Sequence, residues 1–438
     1  MTPEDQPTSL GKIFAFWAPM ASTWLMMALE APFLAALIAR LADPKENLAA
    51  FGVAHAVAIL VEAPVIMILS ASTALVAGAT SFRRLRRFTN ALNIGITVVM
   101  LVLLLTPAWR WLATHAIGLP PDVVELTQWA LLLLVPWPAS IGYRRFYQGL
   151  LVRQGLTRLI ALGTIVRLTT MAVTGAILYR FTEVPGALVG ASALTVGVTL
   201  EAIASRFMTL GVVREVKRVV EDEVLSYRRI IDFYTPLALT SVISLAVHPL
   251  VAFFMGHSRF SLESLAVLPV VNSLSFIFRS IGLSYQEVAI AVMARSERNV
   301  GPAARFAVLL AAGGSITMAL IAFTPLAWIW YRDVSGLTTE LTRFAILPTQ
   351  ILTLLPALSV LLSFQRSTLV HGRATGPLTW ATVIEVGGII AALWLGTAGL
   401  DLVGVTAAAA AFILGRLAGN LYLIPPCARI LRGSRNSG

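Results

Sequence analysis

Apolar residues run along this chain in twelve long blocks, separated by short stretches that carry most of the charge. A helix needs about 20 apolar residues to cross the hydrocarbon of a bilayer. The blocks at 13–40, 48–79, 89–114, 123–150, 159–180, 186–211, 231–256, 262–293, 304–330, 338–364, 376–398 and 402–428 all satisfy this. The pattern predicts an all-α polytopic membrane protein with 12 transmembrane helices. Blocks longer than the minimum imply tilt or extension beyond the bilayer.

The two halves of the pattern resemble each other. Phe16-Trp17-Ala18-Pro19 matches Phe233-Tyr234-Thr235-Pro236 at an offset of 217, and Pro32 matches Pro249 at the same offset. Leu48 to Val53 matches Leu262 to Val267 at 214; Tyr147-Gln148 and Gly155 match Phe364-Gln365 and Gly372 at 217; Val189-Gly190 matches Val403-Gly404 at 214. Chance apolar similarity does not hold an offset across half a chain. Six helices per half is an even number, so both halves enter from the same side and the repeats are parallel. The expected organisation is an N-terminal six-helix lobe at 1–211, an amphipathic cytoplasmic linker at 212–230 and a C-terminal six-helix lobe at 231–438, the lobes facing a central cavity.

Composition supports lipid as the solvent. Only 13% of the residues are charged and mean hydropathy is +0.81, against roughly 25% charged in soluble domains. The net charge of +11 is not a nucleic-acid signal, because of where it falls. One set of connectors, with Lys12 and the C-terminal tail, holds 20 of the 33 basic residues, among them Arg83, Arg84, Arg86, Arg87, Lys217, Arg218, Arg298 and Arg373. The alternate connectors hold 7, and 6 lie inside spans. The positive-inside rule then places both termini in the cytoplasm, with the cell (inner) membrane as the expected location. The run Ser81-Phe82-Arg83-Arg84-Leu85-Arg86-Arg87-Phe88 reads as a topology determinant that also meets anionic lipid. Trp109, Trp111, Trp328, Trp330 and Tyr331, at expected outer helix ends, read as interfacial anchors. The acidic start runs into the first span without a cleavage pattern, so that span is expected to serve as its own insertion signal. The single Cys427 excludes an internal disulfide and a CxxC metal site.

Pro19, Glu30, Pro32 and the run from Leu48 to Pro64, with Phe146 to Gly155 after the fourth block, resemble the multidrug/oligosaccharidyl-lipid/polysaccharide exporter superfamily. That group includes the multidrug and toxic compound extrusion (MATE) antiporters and lipid-linked sugar flippases. The nearest likeness is to the progressive ankylosis (ANK) family, carried by Leu48 to Ala54, Phe233 to Leu239 and His248 to Phe254. The superfamily likeness implies a MATE-like fold; the narrower one implies export of citrate, pyrophosphate or nucleotide-class anions.

Ionisable groups inside a bilayer are costly and mark functional sites by default. Glu30 and Glu62 fall at similar depth, with His55 one heptad before Glu62. They are candidates for coupling H⁺ or Na⁺, against the alternative of buried carboxylates paired with arginine, with His55 in a structural hydrogen bond. In the second half, Asn272, Arg279 and Gln286 repeat every seven residues, beside Ser273, Ser280 and Glu287. Arg279, with His248 at similar depth, is the candidate anion-binding group, because a guanidinium stays charged and grips carboxylate or phosphate with two hydrogen bonds. The alternative is an internal ion pair of Arg279 with Glu287 or Glu62. Arg167 and Glu385 occupy matching repeat positions with opposite sign, and pair either with each other across the lobes or, for Arg167, with Glu201. Arg144, Arg145 and Arg366 form either a basic mouth or headgroup anchors; Arg416 has no partner that the sequence names.

These features predict a secondary exporter of anions, with a MATE-type cation antiporter as the alternative and a lipid-linked sugar flippase behind it, since no room remains for further helices. An enzyme is not expected: no HExxH, GxSxG or P-loop is present. No cofactor beyond a coupling ion, no nucleic acid, and a monomer among membrane lipids complete the expectation.

Overall fold

The computed structural model describes residues 8–220, 225–296, 299–372, 374 and 376–436. Arg298, Arg373 and the linker acids Glu221, Asp222 and Glu223 lie outside them. Among the described residues twelve helices are long and apolar enough to span a membrane: α1 Leu10–Ala39, α2 Pro44–Leu75, α3 Ala79–Leu105, α4 Pro121–Arg153, α5 Arg158–Phe181, α6 Gly186–Met208, α7 Tyr227–Gly256, α8 Ser261–Met293, α9 Val300–Phe323, α10 Thr339–His371, α11 Gly376–Gly399 and α12 Gly404–Arg432. All twelve predicted spans are present, with ends shifted by up to ten residues, most in α3.

Some helices break where proline removes a donor, although Pro19, Pro236 and Pro269 are accommodated inside theirs. Pro32 has no N–H to give the carbonyl of Ala28, and the first segment of α1 ends at Ala28. Pro249 stands in the same relation to Leu245, where the first segment of α7 ends. The breaks at Leu29 and Ala246 are 217 residues apart, the repeat offset. In α4 the break falls at Val135, before Pro136, and in α10 at Leu352, again 217 residues on. Even the wide π-type turns that follow α3 and α9, Leu112–Ile117 and Ile329–Val334, keep this spacing. The duplication is therefore visible in the backbone.

The chain divides into two compact units, one formed by Met1–Ala36 with His257–Gly438 and the other by Leu37–Gly256. This differs from the expected division at 211 and 231. The first helix of each half belongs with helices of the other half. In the unit containing α8 to α12, Ile13, Trp17 and Ala21 of α1 join a core with Tyr285, Val288, Val292 and Phe306. Trp17 Nε1 donates to Ser284 Oγ at 2.9 Å. In the other unit Tyr234 of α7, the repeat equivalent of Trp17, donates its hydroxyl to the carbonyl oxygen of Pro64 and meets Phe88 edge-on at 5.2 Å. That carbonyl lies in the last turn before α2 breaks at Met67, where a helix leaves acceptors open. An amphipathic helix, Leu210–Arg218, follows α6 and buries Val212, Val213 and Val216.

Two expected interfacial anchors are packed instead. Trp109 is buried, with Nε1 3.5 Å from the carbonyl oxygen of Val124. Tyr331 is also buried and shares a hydrogen bond with Thr349. A buried ring with a polar tip finds an internal partner; Tyr331 lies within the wide turn Ile329–Val334, and Trp109 in the short helix Pro107–Trp111 just before the other. Trp111 stays exposed, as an anchor should.

Gly256 ends α7 against the backbone of Ile117, and a methyl group there would collide with the Ile117 carbonyl oxygen. A Gly256→Ala variant should lose about 2 kcal/mol or more by overpacking, read as a fall of several degrees in the melting temperature of the purified protein. Gly95→Ala, at a helical position where a Cβ meets nothing within 4 Å, should cause no fall. Equal melting temperatures for the two variants would contradict the close approach.

Candidate functional site

The span-embedded charges gather into one group in each unit. In the Leu37–Gly256 unit the centre is Glu201 of α6, with 1% of its surface exposed. Arg144 of α4 donates from Nη1 to Glu201 Oε2, Arg167 Nε of α5 lies 3.6 Å from the same oxygen, and Gln148 Nε2 donates to Oε1 at 3.4 Å. Arg144 and Arg167 are themselves buried. Arg145 lies near enough to Arg144, Arg167, Glu201 and Glu62 for their charges to act on it. This group holds three guanidinium groups and two carboxylates.

The unit of Met1–Ala36 with His257–Gly438 repeats the arrangement with the signs exchanged. Glu385 of α11 is the repeat equivalent of Arg167, and Arg416 of α12 that of Glu201, at offsets of 218 and 215. Arg416 Nε donates to Glu385 Oε1 at 2.7 Å, and Nη1 donates to Ser359 Oγ of α10 at 3.2 Å. Arg279 of α8 and Arg366 of α10 both stand within electrostatic reach of Arg416 and Glu385. Here three guanidinium groups meet one carboxylate. The Nε of Arg279 makes no hydrogen bond among the described residues. Coulomb attraction is indifferent to which helix carries which sign, so the pair can invert as a unit while either half-inversion would bury like charges.

Several sequence expectations change accordingly. Arg167 and Glu385 do not pair with each other; each has a partner in its own unit. Arg144 is a buried partner of Glu201 rather than an open mouth residue. Arg416, which had no assigned partner, holds Glu385; applying the repeat offset to Glu201 would have found it. Glu287 is exposed, and no ion pair with Arg279 is recorded among the described residues. His248 belongs to the same unit as His55 and lies close enough for their charges to interact. Arg279 belongs to the other unit. The exchange of first helices is the reason: α7 carries His248 into the unit of α2. It likewise assigns Glu30 to the unit of Met1–Ala36 with His257–Gly438 and Glu62 to the Leu37–Gly256 unit. The His55 ring stacks on Phe51 at 5.8 Å and stands 5.6 Å from Trp137. Asn272 and Gln286 are half-buried, while Ser273 and Ser280 are buried with their hydroxyls bonded to the carbonyls of Val270 and Ile277. Among the described residues no group of three His, Cys, Asp or Glu side chains is placed to hold a metal ion.

No protein-family model matches the chain, and no curated protein does. Solved structures do. An inward-facing multidrug resistance MATE family transporter of the MOP superfamily is 14% identical over 95% of this chain and 99% of its own, with a TM-score of 0.67. The lipid II flippase MurJ, in an inward closed conformation, is 13% identical over 96% of this chain and 90% of its own, with a TM-score of 0.70. A MOP superfamily transporter from Pyrococcus furiosus, described as having a binding pocket of reverse polarity, is 15% identical over 97% of both chains, with a TM-score of 0.67. The chain has the MATE-like fold of these transporters.

Removing the carboxylate shared by Arg144 and Arg167 leaves two buried cations without it. Glu201→Gln should cost about 3–5 kcal/mol and lower the thermal midpoint of the detergent-solubilised protein sharply. Glu385→Gln should cost less, since that side chain is 14% exposed. The reverse order would mean that the Glu201 network is not what its burial implies.

Proposed function

We propose that the chain is a secondary-active transporter of organic or phosphate-bearing anions, of the citrate, pyrophosphate and nucleotide class, working by alternating access. The supporting observation is the group of Arg279, Arg366 and Arg416 around the single carboxylate of Glu385. Charge held inside a membrane protein needs a counter-charge. Three guanidinium groups against one carboxylate leave room for an anion carrying one or two negative charges. Arg279, whose Nε has no hydrogen bond among the described residues, is the residue that would grip it, by paired hydrogen bonds. Asn272 and Gln286, one heptad to either side on α8, would add neutral polar contacts. The transporter fold supports the coarser part of this reading, and the ANK-like sequence pattern the anion part. The Pyrococcus furiosus neighbour with its reverse-polarity pocket offers a parallel within the same fold. The protein would sit in the inner membrane with both termini in the cytoplasm, exporting its substrate. Glu30, Glu62 and His55 remain the candidates for coupling H⁺ or Na⁺.

The alternative is a MATE-type antiporter of cationic compounds using Glu30 and Glu62, which the MATE structures sharing the fold favour. Against it, Glu62 already acts on Arg145, and a carboxylate so compensated attracts a cationic substrate less.

The test is flux in liposomes reconstituted with the purified protein, with labelled citrate, pyrophosphate and ATP set against cationic dyes, under imposed pH or Na⁺ gradients. Anion flux should fall about tenfold or more in Arg279→Ala, the loss of a charge-assisted bidentate contact. Cation flux that survives Arg279→Ala and disappears in Glu62→Gln would replace the anion reading with the antiporter.

A further inference from the structure

The arginine-rich start of α3 does more than mark one side of the membrane. Arg83, Arg86, Arg87 and Asn90 are spaced three, one and three residues apart, which places them along one helix face. They line a cleft of about 370 Å³ together with Phe82 and Lys217. Lys217 comes from the separate helix Leu210–Arg218. That helix is fixed beside α3 by its buried valines and by the hydrogen bond from Ala79 N to Val219 O, at 3.1 Å. Lys217 Nζ stands 5.7 Å from the centroid of the Phe82 ring, so the buried ring forms an apolar floor beside the ammonium group.

Arg84 serves as the internal comparison. It belongs to the same basic run but does not line the cleft. Its Nη1 donates to Leu225 O at 2.9 Å and its guanidinium stands 5.7 Å from the Tyr227 ring. One arginine of the run thus anchors the connector, while three turn with Lys217 towards a shared volume. Fixing the topology requires positive charge on one side. It does not require cations from two elements to converge on one cleft with no carboxylate among its described lining residues. Such convergence is repulsive unless negative charge meets it. The volume falls in the range of small-ligand sites. Three guanidinium groups and an ammonium suit a group bearing two negative charges and several acceptor oxygens.

We propose that this cleft binds a terminal phosphate or pyrophosphate group, separately from any transported anion. It opens at the start of a spanning helix, so the phosphate can belong to a lipid headgroup or to a soluble compound, and the chemistry of recognition is the same. Arg83 and Arg87 are exposed; Arg83 donates from Nε to the Ala79 carbonyl oxygen at 3.2 Å, which leaves its Nη groups for the ligand, and the Asn90 amide supplies a neutral donor.

The test uses the full chain in detergent and native mass spectrometry. Phosphatidic acid (a phosphomonoester) is compared with phosphatidylglycerol (a phosphodiester) and phosphatidylcholine, and inorganic pyrophosphate is added in a parallel series. Wild type should retain phosphatidic acid, pyrophosphate or both, each at least about tenfold better than phosphatidylglycerol. The double variant Arg87→Gln/Lys217→Gln changes two exposed side chains and should lose about tenfold of that retention. The control Arg214→Gln/Arg218→Gln removes the same charge from the same short helix, outside the cleft, and should stay within about twofold. Retention of the lipid alone identifies a headgroup site; displacement of the lipid by pyrophosphate identifies one that soluble phosphates also reach. Equal loss in the two variants, or no preference for the phosphomonoester, overturns the proposal.

Discussion

Hydrocarbon gives neither a backbone amide nor an ion any partner, and the structure follows from that. Every spanning segment must close its hydrogen bonds within itself, so the described spans are helices throughout. Pro32 and Pro249 prevent closure, and the helices break there, at corresponding places in both halves. The same constraint governs the charges. Glu201 is tolerable at its depth because Arg144, Arg167 and Gln148 converge on it from two other helices. Arg416 is tolerable because Glu385 and Ser359 meet it. Each group ties its last two helices to the fourth of its half, and those ties set the core of each unit.

The exchange of first helices makes these units composite. Trp17 and Tyr234 are repeat equivalents, and each donates a hydrogen bond to a helix of the opposite half. The chain therefore leaves one unit within α1, between Ala36 and Leu37, and re-enters it after Gly256. Beyond Ala36 α1 is pinned to the second unit by Ile38, which packs against Gly186 and Gly190 of α6. The proline break at Leu29 lies shortly before this passage, and the equivalent break in α7 lies ten residues before Gly256.

Much of this was legible in the sequence and some was not, for physical reasons. The twelve spans, the duplication and the sorting of basic residues depend on composition and period, which a sequence carries openly. The partners of α1 and α7 do not. The repeats are similar enough that Trp17 could pack against its own half or the other with the same apolar chemistry, and only tertiary packing chooses. The assignment of His248 and Arg279 to different units follows from that choice. The pairing of Arg416 was within reach, since the drifting repeat offset connects it to Glu201, but its inverted sign hides it from any search for like residues. Trp109 and Tyr331 were misplaced because hydropathy reports that a ring lies near an interface, not whether it packs inward there.

The inverted pairs also make the two units electrostatically unequal, although their backbones repeat each other. Around Glu201 and Glu62 the three arginines leave a formal excess of one positive charge; around Glu385 the excess is two. A duplicated scaffold with one duplicated site would carry equal charge in both halves. Sign inversion at the pair is neutral by itself, so the difference arises from what surrounds it. Arg366 stands where the first half has Gly149, which is closed over by Ser72 and the Leu69 carbonyl with no room for a side chain. The first half thus spends that position on helix packing and the second on a cation. On the anion-transport reading this division of labour has a simple logic. One unit is neutralised closely enough to stay rigid without a ligand, and the other retains charge that an anion must complete.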